Sequence, residues 1–122
     1  YGLNDEQIGQ MLHDSISYAD SDMQQRMYQE ALVDARAILE SVEKALIADA
    51  ELLNESEFTQ INHACMKLKI AIEQKVSDFG AASSKVKQLV ETLNQVTSDF
   101  ASRRMDNAIK SAFTGKQINE IE

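Results

Sequence analysis

The sequence has no proline, no tryptophan, four glycines, one cysteine and two histidines among 122 residues. Without proline no position forbids a helix interior, and with so few glycines few positions are costly to hold helical. A single cysteine, Cys65, excludes an internal disulfide; it lies in an apolar stripe where a thiol behaves as a small hydrophobe, as expected in a reducing cytoplasm. Positive charge is scarce, with 12 basic against 20 acidic side chains and a formal charge of -8. That balance repels phosphate backbones and anionic headgroups, which argues against nucleic acid and membrane surfaces as partners. No run approaches the roughly 18 apolar residues that a membrane span needs, and no charged-then-apolar leader pattern opens the chain.

What is present favours helix: Ala, Leu, Glu, Gln, Lys and Met are plentiful. A chain of this length fits one domain that buries roughly two thirds of its unfolded surface. The expected fold class is all-α, a bent helical arm leading into an antiparallel three-helix bundle. The sequence opens Tyr1-Gly2-Leu3 without a methionine, directly before a helix start, as expected of a piece of a longer protein.

Asn4 and Gln7 have capping-box spacing, and Asp5 and Glu6 place negative charge on the positive helix end. Ile8, Met11 and Leu12 begin an apolar face, which then enters the serine and aspartate cluster from Asp14 to Asp22. Those side chains compete for backbone hydrogen bonds, which predicts a bend at Ser17, Tyr18 and Ala19. From Ala19 an apolar stripe through Met23, Met27, Leu32, Ala35, Ile38, Leu39, Val42, Leu46 and Leu53 predicts one long helix. Asn54 and Glu57 form a second capping box before Phe58, Ile61, Cys65, Leu68, Ile72 and Val76, a helix expected to end near Asp78. Gly80 fits the left-handed residue after a helix, and Ser83 or Ser84 can cap the next. The last segment carries Val86, Leu89, Val90, Leu93, Val96, Phe100, Ile109, Ala112 and Phe113, with a break near Thr97 or Ser98 and an end at Gly115. These signals divide the chain into a proximal arm over 1–30, a bundle over 31–115 and a frayed tail over 116–122. The arm's apolar face has no remaining segment to cover it, so the chain is expected to self-associate.

The residues that bear chemistry do not assemble into a catalytic constellation. His63 and Cys65 stand two apart and point away from each other on a helix, which fits a surface histidine beside a core cysteine rather than a zinc site. Asp20-Ser21-Asp22 lacks the glycine and the distant glutamate of a calcium loop. Arg103-Arg104 could hold an anion, but Asp99 and Asp106 nearby favour ion pairs within the helix, as do Glu40 and Lys44. Met11, Met23 and Met27 fit core packing and an adaptable partner surface equally well. No cofactor and no metal is expected to bind this chain, and it is expected to be non-catalytic.

The order of segments, from Tyr1-Gly2-Leu3 through the capped short helix, the Ser17-Tyr18-Ala19 bend with Asp22 after it, and the very long helix with two more behind, resembles the lid of the seventy-kilodalton heat-shock chaperones, the DnaK family. Asp14-Ser15-Ile16-Ser17-Tyr18-Ala19, and above all Asp99-Phe100-Ala101-Ser102-Arg103-Arg104-Met105-Asp106, are similar to the HscA-like branch, which serves iron–sulfur cluster assembly in bacteria. The likeness covers almost the whole chain. It implies a cytoplasmic protein with an amino-terminal ATPase domain, using ATP and magnesium, and a peptide-gripping β-sandwich, both preceding Tyr1. It also implies that Ile8, Met11, Leu12, Met23 and Met27 rest on that sandwich. The implied client is the iron–sulfur scaffold protein IscU, and the implied regulator a J-domain co-chaperone. Where DnaK-like lids carry an acid and then a histidine as a latch, this sequence aligns Arg36 and Glu40, so the latch chemistry is altered; Asp22 matches an acidic position facing the sandwich. The alternative is a free-standing helical adaptor whose bundle binds a partner helix.

Overall fold

The computed structural model describes the backbone of residues 4–121 and the side chains of residues 4–115. Asn4 starts the first helix as a reciprocal cap: its Oδ1 accepts from the Gln7 amide at 2.8 Å, and Gln7 Oε1 accepts from the Asn4 amide at 3.2 Å. From there α1 runs unbroken over Asp5–Asp49 and closes in a single 3-10 turn at Ala50–Leu52. Asn54 and Glu57 form a second reciprocal cap, at 2.8 and 3.0 Å, that opens α2 over Glu55–Glu73. The third helix, α3, spans Phe79–Ile121. Among the described residues there is no strand. No described helix is long and apolar enough to cross a membrane.

The direction of each helix follows from contacts at the two ends of the bundle. The Tyr28 ring meets Phe79 at the start of α3, with centroids 5.5 Å apart, and Arg104 meets Asp49 at the end of α1 at 2.7 Å. So α1 and α3 run parallel, with α2 antiparallel to both, as short connections dictate. Between these ends lies one core: Tyr28, Leu32, Ala35, Leu39 and Val42 of α1 against Ile61, Cys65 and Leu68 of α2 and Val86, Leu93 and Phe100 of α3. Ala35, Leu68 and Leu93 have no exposed surface at all.

Several local expectations are corrected. At Ser17, Tyr18 and Ala19, where a bend is expected, α1 is continuous and has no end. The serines and aspartates of that segment are exposed and each costs at most a few tenths of a kcal/mol in a helix interior, too little to break it without a surface to fold onto. The helix after Asn54 ends at Glu73 rather than near Asp78, because Asp78 is spent on the next helix, where its Oδ1 accepts from the Ala81 amide at 3.1 Å. Ser83 and Ser84 therefore cap nothing, and Ser83 is buried. Gly80 lies inside α3, not in a left-handed turn; a Cβ there would sit 3.5 Å from the Gln24 side chain of α1, so it marks a close passage of the two helices. No break occurs at Thr97, whose hydroxyl donates to the Leu93 carbonyl at 2.7 Å and rides on an intact turn. Nor does Gly115 end α3: its cost of roughly 1 kcal/mol is absorbed, and the helix continues to Ile121. The side chains of the expected frayed tail at 116–122 lie outside the described residues.

Two segments overrun the core at opposite ends. The arm, residues 5–27 of α1, projects roughly 35 Å beyond Tyr28 at a rise of 1.5 Å per residue. At the other end α3 overshoots the end of α1, so Met105, Ile109 and Phe113 are exposed rather than part of the bundle.

Candidate interaction surface

The arm carries Ile8, Met11, Leu12, Ile16, Met23 and Met27 along one broad face, all of them exposed. Neighbours Met27 and Tyr28 mark where the pattern changes, being 43% and 4% exposed respectively. At about 100° per residue, the line through Leu12, Ile16 and Met23 sits roughly a third of a turn around α1 from the line through Tyr28, Ala35 and Val42. The two stripes are therefore distinct. One packs on α2 and α3; the other looks to a different side and is exposed among the described residues. Tyr28 and Phe79, which anchor the lower end of the core, were absent from the sequence stripe. A signal did exist, since Tyr28 leads Ala31, Leu32, Ala35 and Leu39 at helical spacing.

The remaining named residues fall on two faces of α1. Ser17, Tyr18 and Ala19 are exposed within the helix. Asp22 pairs with Arg26 at 2.8 Å and Glu40 with Lys44 at 3.0 Å, both one turn apart and solvent-exposed. Arg36 is exposed and forms no ion pair among the described residues. Asp22, Arg36 and Glu40 share the face of α1 turned away from the core.

The arginine pair does not bond within its own helix as expected. Arg103 reaches across the bundle and grips Glu57 with both terminal nitrogens, at 2.8 and 2.6 Å, while donating to the Leu52 carbonyl at 3.0 Å. Arg104 donates to Asp49 at 2.7 Å and lies 5.9 Å from the Phe100 ring centroid. Together they tie α3 to the junction of α1 and α2, where an unused backbone carbonyl needs a donor. The Arg103 guanidinium, and secondarily the Asn54 amide, hold the Glu57 carboxyl down at about 2 from its usual 4.5. A carboxyl depressed on folding stabilises above its ordinary value, and that contribution is lost as pH falls through the folded value. The thermal midpoint should therefore decline as pH drops from about 4.5 towards 2, and Glu57→Gln should flatten that part of the curve; circular dichroism melts across this range compare the two.

Metal and nucleophile chemistry finds no assembly. His63 is exposed and Cys65 buried on the opposite side of α2. Burial pushes the Cys65 thiol up, and the nearby Glu43 charge adds to this, so it is a packed side chain and a poor nucleophile. Among the described residues no group of histidine, cysteine and carboxylate side chains is placed to hold a metal.

Residues 1–106 match the family model described as Hsp70 protein. The chain belongs to the Hsp70 family. Among curated Hsp70 relatives, it is 38% identical over 121 residues to the chaperone protein HscA of Enterobacter sp. (strain 638), covering 99% of this chain and 19% of that protein. It is 41% identical over 123 residues to an HscA homolog of Shewanella baltica (strain OS195), covering 99% of this chain and 18% of the relative. Similarity to the HscA homolog of Laribacter hongkongensis (strain HLHK9) is 39% over 122 residues, with 99% and 19% covered. This Hsp70 chain thus spans about a fifth of the length of the curated relatives it matches.

Proposed function

We propose that this chain is the helical lid of an HscA-like chaperone, closing over a peptide-binding β-sandwich and slowing client release during iron–sulfur cluster assembly. The observation that carries the reading is the arm's apolar face, which looks away from the chain's own bundle, in a sequence that is similar to HscA chaperones over 99% of its length. Those relatives hold this sequence within a far longer chain, which favours a lid over a free-standing adaptor.

In this reading Ile8, Met11, Leu12, Met23 and Met27 rest on the sandwich. Methionine suits such a surface because its flexible thioether fits irregular partners. Burying five half-exposed apolar side chains contributes on the order of 5 kcal/mol before ordering costs, enough to bias a two-state equilibrium between closed and open. A lid of this kind acts on escape rate, since it need not contact the peptide strongly. Arg36, without an ion pair among the described residues, is the candidate latch, meeting an acid across the contact; Asp22 and Glu40 flank it along the same face, already engaged with Arg26 and Lys44. The client would be the scaffold protein IscU, the regulator a J-domain co-chaperone, and the location the cytoplasm. ATP and magnesium would bind a separate ATPase domain, with no catalysis by this chain.

The test is client-peptide dissociation from the full-length chaperone with residues 1–122 present or deleted. Deletion should raise the off-rate about tenfold or more, and Met11→Asp with Met23→Asp should reproduce most of that rise while leaving the bundle folded. An off-rate that ignores the deletion would refute the lid role.

A further inference from the structure

Three lysines of this acidic chain gather around one groove. Between the end of α2 and the start of α3 runs a shallow groove of about 320 Å³, floored by Ile70, Ala71 and Leu89. Lys67 and Lys85 rim it, and Lys75 stands where it continues along the connection between the two helices. None of these three lysines forms an ion pair among the described residues. The acid lining the same stretch is Asp78, and one of its oxygens already caps α3. Ile70 is 56% exposed, so the floor is partly wet and apolar. A groove of this kind selects an amphipathic helix with acidic flanks.

The arm has that chemistry. Its apolar face is flanked by Asp20 and Asp22, and the arm also carries Asp5, Glu6 and Asp14, against which Arg26 is the one basic residue before the core begins. It leaves the bundle at the end where the groove lies, but α1 is continuous, so the arm points away from its own groove. Two chains set end to end bring each arm alongside the other's groove, and a two-fold axis satisfies both contacts at once. We infer that the chain pairs with a second copy through reciprocal docking of the acidic arm of each into the lysine-rimmed groove between α2 and α3 of the other. The pairing requires only this chain. A surface that holds the arm, such as the sandwich of the lid reading, would compete with it.

The experiment is sedimentation equilibrium of the 122-residue chain from 1 to 100 µM, at low and high salt. A dimer that weakens at least tenfold from low to high salt is expected, since charge pairs flank the contact. Lys67→Glu with Lys75→Glu and Lys85→Glu should abolish dimerisation, and so should Asp20→Lys with Asp22→Lys; all five positions are exposed, and unchanged helical dichroism checks that each variant folds. Mixing the two variants should restore a one-to-one heterodimer, because opposite charges then face each other across both contacts: the acidic arm of one meets the lysine groove of the other, and the lysine arm meets the glutamate groove. A chain that stays monomeric throughout would overturn the inference. So would a dimer indifferent to the lysine changes, which would mean that arms pair with arms, or a failure of the mixed variants to associate.

Discussion

Leu93→Ala should cost about 3–5 kcal/mol, the range for truncating a wholly buried leucine whose surroundings collapse only partly. Leu93 has no exposed surface and sits in α3 midway between Val86 and Phe100, with α1 on one side and α2 on the other. Every shift that would fill the cavity must move a helix pinned at both ends, by the Tyr28–Phe79 contact below and the Arg103 and Arg104 bridges above. For a domain of this size, whose whole stability is about 5–15 kcal/mol, such a loss is a large part of the total. Urea denaturation followed at 222 nm measures it as a lowered midpoint with little change in slope. The arm should not share the loss, since none of its apolar residues belongs to the core.

Tyr28→Ala should cost a comparable amount, about 3 kcal/mol or more, whereas Met27→Ala next to it should change stability by less than about 0.5 kcal/mol. The two positions are neighbours in one helix, with similar propensity, and differ in which stripe they belong to. Tyr28 is 4% exposed and its ring contacts Phe79, while Met27 belongs to the uncovered face. Truncating the tyrosine empties the lower end of the core and removes an aromatic contact worth of order 1 kcal/mol beyond burial. The same pair should reverse in a readout of arm docking, where Met27 matters and Tyr28 does so only through folding. Equal costs at both sites in the denaturation curve would mean that the arm stripe packs on its own bundle after all.

The parts of this structure that were legible in the sequence are those settled by neighbours along the chain. Asn4 with Gln7 and Asn54 with Glu57 announce helix starts because a cap needs a donor three residues away, and both form as read. The α2 stripe through Ile61, Cys65 and Leu68 is equally local and is buried. Competition between two plausible local signals is where reading falters. Gly80 and Asp78 both punctuate a chain, and the aspartate prevails because it satisfies an amide that would otherwise lack a partner. The serine and aspartate cluster around Ser17 weakens a helix without ending it. The apolar line through Met23 and Met27 continues so smoothly into Leu32 that the change of face at Tyr28 is hidden; only the position of α2 and α3 reveals it. Arg103 has an acid one turn away in Asp99, yet its partner is Glu57, which no local rule could supply. Exposure of the arm, in contrast, was foreseeable from supply alone, since too many apolar faces were offered for the segments available to cover them.

The continuity of α1 turns the molecule into a lever. A helix of 45 residues is roughly 68 Å long, and its far half is clamped into the bundle by a full set of core contacts. A partner that grips only the arm and tilts it by about 10° therefore swings the far end of the bundle by roughly 12 Å, several times the displacement at the grip. Small adjustments on the gripped surface are thus amplified at the distant end without any joint in between. Had the helix broken at Ser17, the same tilt would have been lost in the hinge.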